Sequence, residues 1–269
     1  MKKTVELHFM NEPEDPYRIA MSLTSSRSHF VTRLTGGCGS LTAESAQGFL
    51  ELFSDAFYGY SGVMLFGGTR MIRKDDESVV VPGITEVAPV IRRINKYATV
   101  LGVIPRTDEL FIRKDGILIV GKEEEATEYV TIVHPDQDIC IVVQADVNKG
   151  SKWLAEANVC LKITDLLLAV NGWKSLLVSY SGGQVTKQEI EKTAHMKWPV
   201  LLIEGGGGTT DALAFDEDFR RMHPNVHSVK KEVMAIRREL KDAGALKKRA
   251  NENFARSRRE TFHIVNERK

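Results

Sequence analysis

Six short, almost unbroken apolar runs, separated by stretches of helical spacing, constrain this chain more than any other feature. They are HFVTRL near residue 30, VMLF at 63–66, TVLGVI at 99–104, ICIVV at 139–143, SLLVSY at 175–180 and PVLLI at 199–203. A strand with one wet face alternates apolar and polar residues, whereas a continuous run needs cover on both faces, as in parallel strands packed between helices. The stretches at 44–58, 84–97, 153–170 and 186–196 have helical spacing, so strand, helix and strand repeat as βαβ units. The expected fold class is therefore α/β, a Rossmann-like doubly wound and mostly parallel sheet. Residues 107–135 break the rhythm and read as short strands about Asp115-Gly116, a hairpin inserted at an edge.

No apolar run approaches the roughly 18 residues that a membrane-spanning helix needs. The first residues, MKKTVELHFMNEPEDP, place acids where a secretory signal has its apolar stretch. Cys38, Cys140 and Cys160 are far apart without CxxC spacing, which suits a reduced chain lacking a disulfide framework. A soluble, cytoplasmic protein is the expectation. The formal net charge is +1, but residues 216–269 hold 15 Lys/Arg against 9 Asp/Glu, while the remainder holds 22 against 27. A mildly acidic body thus carries a basic tail that reads as helical, with Gly244 as a cap or break; it is either a solvated face or a surface for a polyanion.

The glycines point to function. Of 21, 11 fall in four clusters: Gly36, Gly37 and Gly39 around Cys38; Gly67 and Gly68; Gly182 and Gly183; and Gly205, Gly206, Gly207 and Gly208. Each follows an apolar run, so in a parallel sheet all would gather on the carboxyl edge, where ligands bind at the reversal of strand order. Glycine there lets the backbone approach a ligand closely, and a following helix offers unpaired N–H groups and its positive dipole end. Such an edge cradles phosphate or another anion. Neither GxGxxG with a downstream acid nor GxxxxGK[ST] is present. Around the last two clusters, Ser181, Gln184, Thr186 and Glu189, and Glu204, Thr209 and Asp211, supply hydroxyls and carboxylates that serve equally as helix caps or ligand contacts. Thr69 and Arg70 follow the second cluster, where Arg70 could grip a phosphate. Asn148, Lys149 and Lys152 follow the ICIVV run in a comparable place.

These residues carry a resemblance. SLLVSYSGGQVTKQEI and PVLLIEGGGGTTDALA, preceded by RLTGGCGS and LFGGTRM, resemble the SLOG superfamily, most closely the branch at the cytoplasmic N-terminus of TRPM cation channels and in stand-alone prokaryotic proteins. The resemblance covers residues 30–214. It implies a domain at 1–215 that binds a nucleotide-derived ligand such as ADP-ribose, with a basic, mainly helical extension at 216–269. Some members are LOG-type phosphoribohydrolases with the signature PGGxGTxxE, which Gly182, Gly183, Thr186 and Glu189 match. On that likeness Glu189 would be the catalytic carboxylate, stabilising an oxocarbenium-like transition state. Ser181 stands for the proline and Val185 for the third glycine. The preceding helix carries Lys162, with Lys152 just before it, but not the family's arginine, and lysine does not reproduce a planar bidentate grip.

The leading expectation is ligand sensing without chemistry, the alternative a nucleotide N-glycosidase using Glu189, and the third single-stranded DNA binding as in the DprA branch, which the acidic body disfavours. No cofactor or metal is expected: His223 and His227 are separated by Pro224 and have no third ligand in view. A second copy of the chain and, by the resemblance, a separate membrane effector complete the expected partners.

Overall fold

In the computed structural model, which describes residues 6–10, 15–24, 28–37, 43–76, 78–106, 110–112, 118–120, 128–144, 153–170 and 172–246, all six apolar runs are strands of one parallel sheet. In chain order the strands are β1 (Glu6–Met10), β2 (Phe30–Gly36), β3 (Gly62–Gly67), β4 (Thr69–Arg73), β5 (Val80–Val81), β6 (Ala98–Arg106) and β7 (Leu110–Ile112). They continue as β8 (Leu118–Val120), β9 (Tyr129–Val133), β10 (Ile139–Gln144), β11 (Lys174–Tyr180), β12 (Val200–Ile203) and β13 (Val226–Val229). The helices are α1 (Asp15–Leu23), α2 (Ala43–Ala56), α3 (Val87–Ile94), α4 (Trp153–Leu168), α5 (Gln184–His195), α6 (Gly208–Phe215), α7 (Glu217–Met222) and α8 (Val233–Ala243), with a 3₁₀ turn at Ile84–Glu86.

The main sheet has the order β1-β10-β6-β3-β2-β11-β12-β13, and every pairing is parallel. Successive side chains of a strand point to opposite faces, so each unbroken run feeds two cores. Phe30, Leu34, Met64, Phe66 and Val100 pack with residues of α2, α3 and α8. Val31, Val63, Leu65 and Leu101 pack with α1 and α4 on the other side, and Leu177, Val200 and Leu202 with α5 and α6. Phe49, Phe53 and Phe57, spaced by four, line one face of α2 and its exit. Phe49 stacks on Tyr180 at 5.1 Å between ring centroids. Each such fully buried ring contributes about 1.5–3 kcal/mol.

The chain builds outward from β2 through β3, β6 and β10 on one side, then returns through α4 to add β11, β12 and β13 on the other. The reversal of strand order therefore falls between β2 and β11, where an open α/β sheet leaves a crevice at its carboxyl edge. A second sheet, antiparallel in its pairings and ordered β5-β4-β9-β8-β7, is inserted after β3 and β6. The strands of the hairpin expected around Asp115-Gly116 are β7 and β8; residues 113–117 between them lie outside the described residues.

Two features depart from the sequence reading. The sheet has an edge strand, β1, ahead of the six apolar runs. It also does not end near residue 215: β13 pairs with β12, Ile236 and Leu240 of α8 enter the core, and Tyr60 bridges to Leu246. Charge on the outer faces masked these apolar positions. Gly244 caps α8 with φ 90°, as helix ends commonly require; the tail from 247 lies outside the described residues. Among the described residues no helix is long and apolar enough to cross a membrane.

Candidate functional site

A cavity of about 430 Å³ opens at the crevice between β2 and β11. Its sheet side is made by the ends of β2 and β3, with Gly36, Gly37 and Gly67; one wall is the first turn of α5, with Gly183, Gln184, Val185 and Thr186; Glu156 and Glu189 line it from α4 and α5. Across from these lie Thr69 and Met71 of β4, Val81 of β5, Thr131 of β9, and Ile84 and Thr85 of the 3₁₀ turn. The inserted antiparallel sheet thus forms the far wall.

Of the residues proposed from sequence, Gly36, Gly37, Gly67, Thr69, Gly183, Gln184, Thr186 and Glu189 meet around this one cavity. Ser181 and Gly182 form the turn behind it. Ser181, a non-glycine residue at φ 61°, is buried, and its carbonyl accepts hydrogen bonds from the Thr210 amide (3.1 Å) and hydroxyl. That turn brings Gly183 to the start of α5 with no side-chain cap. The helix therefore presents its first N–H groups and positive end toward the cavity. Thr186, buried beneath Gly182, is not serving as the cap.

The Glu204–Thr209 loop is arranged differently, and none of Glu204, Gly205, Gly206, Gly207, Gly208 and Thr209 lines the cavity. Asp211 folds back and accepts from the amides of Gly205 (3.0 Å) and Gly207 (2.8 Å). The Thr209 amide donates to the Gly182 carbonyl at 2.9 Å, and its hydroxyl to that of Gly183 at 3.2 Å. The second loop supports the first. Gly68 is likewise structural, donating to the Val103 carbonyl and accepting from the His134 amide. Cys38 and Gly39, with Asn148, Lys149 and Lys152, lie outside the described residues.

Arg70 does not line the cavity. Its guanidinium makes a two-pronged pair with Glu86, Nε to Oε1 at 3.0 Å and Nη2 to Oε2 at 2.9 Å. His134 completes the group: the Asp136 amide donates to Nδ1, leaving Nε2–H to donate to Glu86 at 3.2 Å. Burial would raise the Glu86 carboxyl, but bonds from His134 and Arg70 hold it below its ordinary value. Burial also lowers His134, consistent with the neutral ring this geometry requires. The network ties β4, the 3₁₀ turn and the exit of β9 together behind the far wall.

On the cavity floor lies a buried charged cluster in which Glu189, named from sequence, is joined by Arg33 and Glu156, which were not. Arg33 of β2 donates from Nε to Glu189 Oε1 at 2.8 Å, while its Nη2 lies 2.7 Å from the same oxygen and 3.0 Å from Glu156 Oε1. The Thr35 hydroxyl donates to Glu189 Oε2. Arg33 Nη1 is buried without a partner among the described residues. One guanidinium thus serves two carboxylates, whose side chains are 9% and 3% exposed. Burial, with the neighbouring Glu189 charge and against the pull of Arg33, pushes Glu156 up to about 7. A charge in the middle of FVTRLTG, a strand covered on both faces, was the available signal for Arg33; nothing local links it to residues 123 and 156 positions away.

No family model and no curated protein matches the chain. Among solved structures, TM1055 shares 20% identity over 80% of this chain and 99% of that one, with a TM-score of 0.46. The molybdenum cofactor carrier protein MCP from Chlamydomonas reinhardtii shares 18% over 81% and 99%, at 0.47. The molybdenum cofactor binding protein from Rippkaea orientalis shares 16% over 81% and 98%, at 0.43. The likeness lies in the general course of an α/β chain and extends no further.

Proposed function

We propose that this chain binds a phosphate-bearing, nucleotide-derived small molecule, of the ADP-ribose kind, in the cavity at the switch of strand order. The observation that carries the reading is the uncapped start of α5 opening onto a cavity beside the buried Arg33 cluster. Backbone amides of the first helical turn suit phosphate oxygens. Leu34, Met71, Val81 and Ile84 give an apolar surface for a base, and the cavity volume falls within the roughly 300–1,000 Å³ range of small-molecule sites. The phosphate belongs at the α5 rim, since the floor carries two carboxylates against one guanidinium. The test is thermal unfolding in the presence of AMP, ADP and ADP-ribose, followed by mass spectrometry of the ligand. A rise in Tm with intact ligand supports binding, and no rise at millimolar concentration of any of them rejects it.

Hydrolysis is the second reading, and a specific observation favours it. Arg33 of β2 and Thr35 hydrogen-bond both oxygens of Glu189 at the cavity. A carboxylate fixed in this way could stabilise positive charge developing at a ribose anomeric carbon. Release of free base from AMP, abolished in Glu189→Gln, would establish this activity; intact AMP after prolonged incubation would exclude it for that substrate.

A further inference from the structure

Glu156 has an unused acceptor. Both oxygens of Glu189 are engaged, Oε1 by Arg33 and Oε2 by Thr35, and Glu156 Oε1 is engaged by Arg33. Glu156 Oε2 has no hydrogen bond among the described residues, although the side chain is only 9% exposed and lines the cavity. The carboxylate lies against the end of β3, where a Cβ on Gly67 would stand 3.0 Å from Oε1. Glycine at that position leaves room for the acid to reach the cavity. Oε2 is thus open to the cavity, where an acceptor on a mostly buried side chain is stabilised by a donor, and Arg33 is already shared between two acids.

We infer that Glu156 receives the sugar hydroxyls of the bound nucleotide and so selects ribose over deoxyribose. The inference rests on the ligand reading above and adds its polarity: phosphate at the first turn of α5, ribose over the α4 carboxylate, base against Met71, Val81 and Ile84. A hydroxyl pair fits better than a second phosphate, because it brings a donor to a carboxylate oxygen whereas phosphate oxygens are acceptors. It also gives a role to the second oxygen of an acid whose first oxygen is held by Arg33.

The experiment is calorimetric titration of the full chain with AMP, ADP-ribose and the 2′-deoxy form of each. Each ribose ligand should bind about 10- to 100-fold more tightly than its deoxy form, the range expected when a mostly buried acceptor loses its donor. In Glu156→Leu the ratio should collapse toward 1 with the deoxy affinity little changed, and Glu156→Gln should keep part of the preference. The ratio is measured within one folded protein, so a general loss of stability would not imitate it. Equal affinities in the wild type, or a ratio that survives in Glu156→Leu, overturn the inference and leave the ligand reading intact. Failure of all four ligands to bind overturns the ligand reading and this inference with it.

Discussion

The chain contains two consecutive strand–glycine loop–helix units of nearly the same composition, and they have opposite fates. In the first, β11 and α5, the helix N-terminus has no side-chain cap and opens onto the cavity. In the second, β12 and α6, the helix start also lacks a side-chain cap, but the loop amides of Gly205 and Gly207 are met by Asp211, and those of Thr209 and Thr210 by the carbonyls of Gly182 and Ser181. A glycine-rich loop before a helix offers an anion site only while no internal acceptor has filled it. The second unit's dipole and donors fix the shape of the first.

That contrast can be tested from its largest energetic consequence to its smallest. Arg33→Leu should be the most damaging change, because it leaves the acid beneath α5 beside Glu156 without a counter-charge. Denaturant unfolding at neutral pH should show a loss of about 3–5 kcal/mol. Gly208→Ala should come next. Gly208 sits at φ 65°, and a Cβ there would collide with the Gly182 carbonyl oxygen, separating the units at a cost of about 3 kcal/mol by the same measurement.

A third test uses pH. Folding raises Glu156 from 4.5 to about 7, so in that window the native state holds a proton the unfolded chain has released. Stability should therefore fall as pH rises from about 4.5 to about 7 and level off above. Glu156→Gln should remove that part of the slope, as followed by urea midpoints across the range. Asp211→Ala should cost only about 1 kcal/mol, but it converts the filled loop into an open one. Sulfate should then raise the Tm of the variant more than that of the wild type.

The mildest change is Gly183→Ala. Gly183 has an ordinary φ of −121°, and a Cβ there meets nothing within 4 Å. Stability should stay within about 0.5 kcal/mol, while the added methyl projects from the residue at the mouth of α5 and weakens nucleotide binding. Unchanged binding would count against the first loop as the ligand's seat.

Much of this architecture was legible in the sequence because it is locally written. The unbroken runs around Val31, Leu65, Val142 and Leu202 could only be strands covered on both faces, and glycines after them marked the ligand edge. Gly244 announced the end of α8. What escaped was written non-locally or weakly. β13 is four residues with two apolar positions in a charged stretch, so its strand character comes from pairing with β12. Arg33 and Glu156 become partners only when β2 and α4 pack together. The closure of the Glu204–Gly208 loop depends on a carboxylate that, by residue type alone, could equally have been a ligand contact.

The most direct measurement is amide NMR of labelled protein titrated with AMP. The amides of Gly183, Gln184 and Val185 should shift in a saturable manner, while those of Gly205 and Gly207, held by Asp211, stay close to their free positions. Shifts confined to Gly205 and Gly207, or no shift in either loop at millimolar AMP, would contradict the assignment of the open helix end as the phosphate seat.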